Sequence, residues 1–289
     1  MKPSEFHASR KFADTPCGRI AYIEQGAGPV TLFLHGLPLC GYQWRSVIED
    51  LASVRRCIAL DEMGLGYTEV AAGQEVSFAA QARMIAAFLD AAKIDRVDVV
   101  GNDTGGGISQ IFAATYPTRV RTLTLINCEV HDLWPNALLT GFYRGVASGI
   151  VPQALKQMLN DITLARQQLG ALVYEDAEVF TPEGVQVYLA PIVASDERIK
   201  QFQQLCDWQK NRPQLMEIAP KSQASKIPAQ IIWGDADPVF DMSPSLDWLR
   251  ANLGGLKKVT MVPRAKLFFP EEHPRLMSVL LNEFWSTID

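Results

Sequence analysis

The stretch that decides the fold is VVGNDTGGG, residues 99–107. The apolar run RVDVV leads into it as a buried strand would, and ISQIFAATYP follows with the apolar spacing of a helix. The turn between them has the form G-x-D-x-G, with Asp103 at its tip. Small residues there let strand and helix approach closely around a strained residue, although an aspartate is also a good N-cap. Asp103 is therefore the first candidate for a functional residue.

The composition is typical of a globular protein that binds neither nucleic acid nor membranes. The 289 residues carry a net charge of −5, with acidic and basic residues mixed along the chain. We therefore expect no nucleic-acid partner and no membrane association. Five scattered cysteines without a CxxC pair indicate neither a disulfide framework nor a zinc site. Together with an N-terminus that has no apolar leader, they predict a cytoplasmic protein.

Short apolar runs alternate with helical patterns along most of the chain. This alternation predicts an α/β fold, with a mostly parallel sheet flanked by helices. Ser77 is a predicted N-cap, and a last helix is predicted over 271–285. The alternation breaks at about 133–224, where helical patterns follow one another without strands. We predict a helical cap at 133–224, inserted between core segments 1–132 and 225–289.

Active groups in an open parallel sheet gather at the carboxyl ends of its strands. Several polar side chains directly follow predicted strands: His35, Asp103, Glu129, His131, Asp235 and Asp237. Thr104 lies at the start of a predicted helix, and Leu37 lies in the turn after an earlier strand. Their backbone N–H groups are candidates for stabilising a developing oxyanion or a leaving group.

Four of these turns together resemble the α/β-hydrolase superfamily: HGLP (35–38), DEMGLGYTE (61–69), GNDTGG (101–106) and GDADPVF (234–240). Aspartate instead of serine at the central turn is similar to the haloalkane dehalogenase and epoxide hydrolase branch, as is YLAP (188–191) in the predicted cap. The resemblance implies an eight-stranded sheet, no cofactor and no metal. It also implies that Asp103 attacks carbon to form an ester, which water then hydrolyses with the help of an acid–histidine pair. The candidate acids are Glu129, Asp235 and Asp237.

The sequence departs from this family at the histidine that would activate water. The family carries it after the last strand, where the best register places Leu267. His131 is the candidate for a relocated base, because it follows the sixth strand beside Glu129. The alternative is a hinge histidine between core and cap. We expect His35 to shape the oxyanion loop rather than to move protons.

The predicted substrate pocket holds both core and cap residues, namely His35, Trp134, Tyr143, Tyr188 and Leu267. Cap tyrosines are candidates for protonating an epoxide oxygen, or they only pack. We expect an enzyme that hydrolyses a small apolar epoxide or carbon–halogen bond through an ester on Asp103. Two alternatives stay open. One is a cofactor-free lyase, isomerase or cyclase in which Asp103 transfers protons. The other is a protein that binds a small molecule without catalysis.

Overall fold

The computed structural model of the protein describes residues 1–288 and contains a sheet of eight strands. The strands are β1 (Lys11–Thr15), β2 (Gly18–Gln25), β3 (Val30–Leu34), β4 (Arg56–Leu60), β5 (Val97–Asp103), β6 (Val120–Cys128), β7 (Ala229–Gly234) and β8 (Leu256–Val262). Their order in the sheet is β1-β2-β4-β3-β5-β6-β7-β8. The contacts of β2 with β1 and β4 are antiparallel, and all other neighbouring strands are parallel. The mostly parallel, eight-stranded sheet predicted from the sequence is confirmed.

The degree of burial explains which strands can be predicted from apolar runs in the sequence. Every residue of β5 and β7 is buried, because helices cover both faces of the sheet there. Such strands consist of nearly continuous apolar runs. No apolar run marks β1, which lies at the edge of the sheet and has no fully buried residue.

Helices flank the sheet and fill the insertion. They are α1 (Pro3–Ser9), α2 (Arg45–Leu51), α3 (Phe78–Ala91), α4 (Thr104–Thr115), α5 (Ala137–Ala147), α6 (Ile150–Met158), α7 (Ile162–Ala165), α8 (Ala171–Val173), α9 (Pro182–Leu189), α10 (Asp196–Leu205), α11 (Trp208–Glu217), α12 (Ala219–Ala224), α13 (Met242–Asn252), α14 (Phe269–Glu272) and α15 (Pro274–Ser286). As predicted, Ser77 caps α3, accepting a hydrogen bond from the Ala80 N–H. No helix within residues 1–288 combines the length and apolarity needed to cross a membrane.

The predicted last helix is in fact two helices. Helix α14 ends at Glu272 and α15 begins at Pro274, with His273 between them at φ −120° and ψ 55°. A proline disfavours helical geometry in the residue before it, so Pro274 breaks the helix at His273.

Helices α5–α12 form a helical region at 137–224, inserted between β6 and β7. This insertion agrees with the expected cap, while the division into segments 1–132, 133–224 and 225–289 stays a prediction. A buried carboxylate joins the region to the core. Glu271 of α14 accepts hydrogen bonds from Tyr174 (2.6 Å) and Tyr188 (2.8 Å) of the helical region, and it forms an ion pair with Arg45 of α2.

A second set of hydrogen bonds ties the same helical region to the segment after β8. The Phe268 N–H donates to the Val173 carbonyl oxygen over 3.0 Å. The Glu272 carboxylate accepts from the backbone N–H groups of Glu175 (3.0 Å) and Asp176 (2.9 Å). Both ends of the segment 268–272 are therefore attached to residues 173–176.

We expect Arg45→Met to lower the free energy of unfolding by about 3 kcal/mol, because it leaves the buried Glu271 carboxylate without its cation. Urea denaturation measures this loss. The matched control is Arg250→Met, which removes an exposed ion pair with Asp247 and should cost less than about 1 kcal/mol. Equal losses for the two variants would contradict a stabilising role for the buried pair.

Candidate active site

Asp103 lies at the junction of β5 and α4, in a backbone conformation that only close packing sustains. Its φ of 54° and ψ of −129° lie in a region that side-chain-bearing residues rarely adopt. A Cβ atom on Gly101 would approach the Gly105 carbonyl oxygen to 2.3 Å, and one on Gly105 would approach that of Leu34 to 2.5 Å. The glycines of the G-x-D-x-G pattern are therefore required by this close approach. The Asp103 side chain makes no capping hydrogen bond to α4, so capping does not explain the residue.

The Asp103 carboxyl group faces a small apolar cavity. The Leu37 N–H donates to its Oδ2 over 2.8 Å. The cavity has a volume of about 70 Å³. Apart from Asp103 and Tyr143, all of its described lining residues are apolar: Leu37, Pro38, Leu138, Leu139, Phe142, Leu169, Leu172, Val173, Val239 and Leu267.

Tyr143 brings a second polar group to this cavity. Its hydroxyl oxygen accepts a hydrogen bond from the Trp134 indole N–H over 3.1 Å, so its own proton remains available for donation. Burial, followed by the negative charge of Glu129, raises the pKa of Tyr143 well above its usual value. The phenol is thus held neutral beside Asp103.

Burial and neighbouring acids raise the pKa of Asp103. Burial first, and the charge of Glu129 second, raise its pKa well above the usual value, while the hydrogen bond from Leu37 opposes the rise. Burial likewise raises the pKa of Glu129 to about 7, although its Oε1 accepts a hydrogen bond from the Thr104 hydroxyl over 3.1 Å. The two carboxyl groups therefore disfavour each other's ionised form.

The two acids after β7 have different surroundings. Asp237 is partly buried and accepts a hydrogen bond from Asn127 Nδ2 over 2.8 Å; burial raises its pKa to about 6. Its charge contributes to the raised pKa of Asp103. Asp235 is exposed and accepts the Arg264 N–H over 2.7 Å. Asp237 is therefore the buried acid of the two, and its charge acts on Asp103, whereas Asp235 accepts a hydrogen bond in a surface turn.

The structure does not bring His131 to the cavity. Its Nδ1 lies 2.7 Å from Asp132 Oδ1, and its ring stacks on Trp248 of α13 with 4.7 Å between ring centroids. The His35 side chain does not line the cavity either. It is fully buried, its Nε2 accepts the Glu62 N–H over 3.0 Å, and burial lowers its pKa to about 4. His35 is therefore a neutral imidazole that supports the backbone, and its role in shaping the oxyanion loop stays a prediction.

Three further residues of the predicted pocket have distinct positions. Leu267 lines the cavity with Asp103, and its carbonyl oxygen accepts a hydrogen bond from Asn102 Nδ2 over 3.1 Å. Trp134 lies behind Tyr143 and does not itself line the cavity. Tyr188 is also absent from the lining, because its hydroxyl is bonded to Glu271.

Glu62 is a buried acid that sequence analysis missed. It directly follows the strand β4 and Asp61, within DEMGLG, and this position at a carboxyl strand end was the available signal. Neither of its carboxyl oxygens has a hydrogen-bond partner among the described residues. Burial and the charge of Glu129 raise its pKa well above the usual value. Within residues 1–288, no group of three or more His, Cys, Asp or Glu is arranged to hold a metal ion.

A family model for the alpha/beta hydrolase fold matches residues 29–272, which is most of the chain. The chain belongs to the alpha/beta hydrolase fold family. This α/β-hydrolase is similar to relatives from several enzyme classes. It is 28% identical over 295 residues to haloalkane dehalogenase 2 of Mycobacterium tuberculosis, covering 98% of this chain and 97% of that protein.

Two other relatives differ in their named activities. The α/β-hydrolase is 24% identical over 255 residues to a cis-3-alkyl-4-alkyloxetan-2-one decarboxylase of Shewanella oneidensis, covering 83% of this chain and 77% of that protein. The solved structure of the epoxide hydrolase CorEH matches it with a TM-score of 0.79 and 22% identity, over 97% of this chain and 99% of that one. At this identity the structural likeness shows the fold alone.

We expect Glu129→Gln to change how the stability of this α/β-hydrolase depends on pH. The folded pKa of Glu129, about 7, exceeds its reference value of 4.5, so the folded state binds more protons between these values. Stability therefore falls as pH rises through that range. The amide that replaces the carboxyl group stays neutral and keeps an acceptor for Thr104. Relative to wild type, the variant should gain on the order of 3 kcal/mol between pH 4.5 and 8.

Urea denaturation at a series of pH values measures this difference. The control is Glu183→Gln, because Glu183 is exposed on α9 and its substitution should leave the pH dependence unchanged. Parallel stability curves for wild type and Glu129→Gln would rule out the raised pKa of Glu129.

Proposed function

We propose that this α/β-hydrolase opens small apolar epoxides through an ester on Asp103. It would cleave carbon–halogen bonds by the same route, with less stabilisation of the leaving group. One observation carries the proposal: Asp103 and Tyr143 are the polar residues of a single apolar cavity. A carboxylate supplies the nucleophile, and a neutral phenol supplies a proton for the oxygen that leaves carbon. The similarity to the named dehalogenase supports the same class of reaction.

The first half-reaction follows from these two groups. Asp103 Oδ1 attacks an epoxide carbon, while the Leu37 N–H holds Oδ2 and orients the carboxylate. A carbon–oxygen bond to Asp103 forms as the ring bond breaks. The ring oxygen takes the Tyr143 proton and becomes a hydroxyl group. The Trp134 N–H, already bonded to the Tyr143 oxygen, stabilises the phenolate that results.

A halide leaving group has less support in this cavity. A halide is stabilised by N–H donors, but the Trp134 indole N–H is bonded to Tyr143 and the Leu37 N–H to Asp103. The arrangement therefore favours an oxygen leaving group, which Tyr143 can protonate.

The second half-reaction has no histidine to activate water. Leu267 lies beside Asp103 in the lining, where a histidine would serve this purpose, and His131 points to Asp132 and Trp248. In hydrolysis, water adds to the ester carbonyl, and the backbone N–H groups of Leu37 and Thr104 are the candidate donors for the oxyanion. We infer that ester hydrolysis is the slow half and that the ester accumulates.

Intact-protein mass spectrometry tests the first half-reaction. After incubation with 1,2-epoxybutane, the wild-type protein should gain the mass of one epoxide, and Asp103→Asn should gain none. The adduct should form faster as pH rises, because the raised pKa of Asp103 leaves more of it protonated at low pH. Tyr143→Phe should slow the epoxide reaction at least tenfold, since a general acid contributes about 100-fold or more. It should leave the reaction with 1-bromobutane nearly unchanged.

The contrary outcome would favour a second candidate function. If neither epoxides, haloalkanes nor activated esters gave an adduct or a product, Asp103 would not act as a nucleophile on them. The raised pKa of Asp103 and the similarity to the oxetanone decarboxylase favour cofactor-free proton-transfer chemistry as that candidate.

Leu267→His should accelerate release of the ester. The new imidazole would lie beside Asp103, near the carboxyl groups of Glu129 and Asp237 that raise the Asp103 pKa. We expect the adduct to decay at least tenfold faster, since a positioned general base contributes about 100-fold or more. The decay of the mass adduct after removal of free epoxide measures it. Leu267→Gln is the control, because it is polar but not basic, and equal acceleration by both variants would exclude general-base catalysis.

A further inference from the structure

A groove lies on the outer side of the wall that closes the cavity. It has a volume of about 540 Å³ and lies between α5 on one side and α10 with the start of α11 on the other. Its lining is mixed in polarity and includes Tyr143, Arg144, Lys200, Cys206, Asp207 and Trp208. The groove is far larger than the 70 Å³ cavity that contains Asp103.

Tyr143 belongs to both spaces. It lines the groove and the cavity, so this side chain is a shared part of the wall between them. Cys206, another residue of the groove lining, lies within electrostatic range of the Asp103 carboxyl group. After burial, the charges of Asp103 and Glu129 raise the pKa of the Cys206 thiol, and Cys206 lines the groove.

The size of the cavity makes an outer binding site necessary for most substrates. Small-molecule sites have volumes of about 300–1,000 Å³, whereas this cavity has about 70 Å³. It holds the reactive carbon and a few neighbouring atoms. The remainder of a longer substrate must lie outside the wall.

The charged side chains of the groove indicate which chemical group the outer part of such a substrate carries. Arg144 and Lys200 are exposed, and neither has an ion pair with a described residue. The acid of the groove, Asp207, caps α11 and accepts the Lys210 N–H over 3.3 Å. A guanidinium and an ammonium group without partners favour a carboxylate, which an arginine can bind with two hydrogen bonds.

We propose that the groove binds the carboxylate end of an apolar chain whose other end reaches Asp103 past Tyr143. The substrate class is then an epoxide that carries a carboxylate at the far end of an alkyl chain. This assignment rests on the proposed function for its reactive end only. The competing route passes Leu138, which lines the cavity and is 46% exposed but does not line the groove that contains Arg144 and Lys200.

Binding of unreactive ligands tests the groove without any chemistry. We would measure the Kd of decanoate and of neutral decanamide by calorimetry, using Asp103→Asn protein. Replacing both cations, with Arg144→Gln and Lys200→Gln, should raise the Kd of decanoate about fivefold, as expected for the loss of two exposed ion pairs. The same double substitution should leave the Kd of decanamide unchanged. The control is Lys156→Gln with Lys221→Gln, which removes two exposed charges that do not line the groove.

Several results would overturn the assignment. These are an absence of decanoate binding, an equal effect on decanoate and decanamide, or an equal effect in the control protein. The last two would mean that a general change of charge or packing, rather than the groove, governs binding.

A second measurement tests whether groove and cavity are continuous. In wild-type protein, decanoate should slow formation of the 1,2-epoxybutane adduct, and the groove variant should need about fivefold more decanoate for the same effect. Decanoate binding that depends on the groove but leaves adduct formation unchanged would refute the shared path. If no adduct forms at all, the proposed function fails by itself, while the calorimetric result still decides whether the groove binds carboxylates.

Discussion

The close contact between β5 and α4 is the constraint on which the site depends. Gly101 allows β5 and α4 to approach so closely that a Cβ atom would collide with the Gly105 carbonyl oxygen, and Gly105 allows α4 an equally close approach to the end of β3. This approach fixes Asp103 at a positive φ and keeps its side chain from capping α4. The carboxyl group then meets the Leu37 N–H instead of a donor of its own helix. Backbone packing, rather than a network of side chains, thus sets where the Asp103 carboxyl group lies.

The surroundings of Asp103 work against its charge. Burial and the charges of Glu129 and Asp237 favour the protonated acid, and one hydrogen bond from Leu37 favours the carboxylate. Leu267 adds apolar surface to the same cavity and carries no positive charge that could balance these acids. In such a site, a smaller fraction of the aspartate is ionised at neutral pH. The ionised carboxylate is, however, less solvated and therefore more reactive. The protonation state of Asp103 therefore depends on the missing positive charge at Leu267 as much as on the Asp103 carboxyl group itself.

Local patterns predicted the parts of the structure that local interactions determine. The apolar runs and the G-x-D-x-G turn identified the sheet and Asp103, and Ser77 marked the start of α3. Such patterns did not reveal the partner of Tyr188, because the Glu271 carboxylate that accepts its hydrogen bond lies 83 residues away in the sequence. His131 also follows the expected strand, but stacking on Trp248 decides its direction. Side-chain direction in loops depends on distant neighbours, which a single sequence does not reveal.

The hydrogen bonds between residues 173–176 and the segment 268–272 link the helical region to the wall of the cavity. Leu267 directly precedes Phe268, whose N–H is bonded to Val173, and both Leu267 and Val173 line the cavity. A displacement of residues 173–176 would therefore pull Leu267 with it while these bonds persist. Opening this side of the helical region would widen the cavity from two walls at once and expose the same carboxyl group to bulk water. In such a displacement, a bulky molecule and bulk water would gain access to Asp103 together.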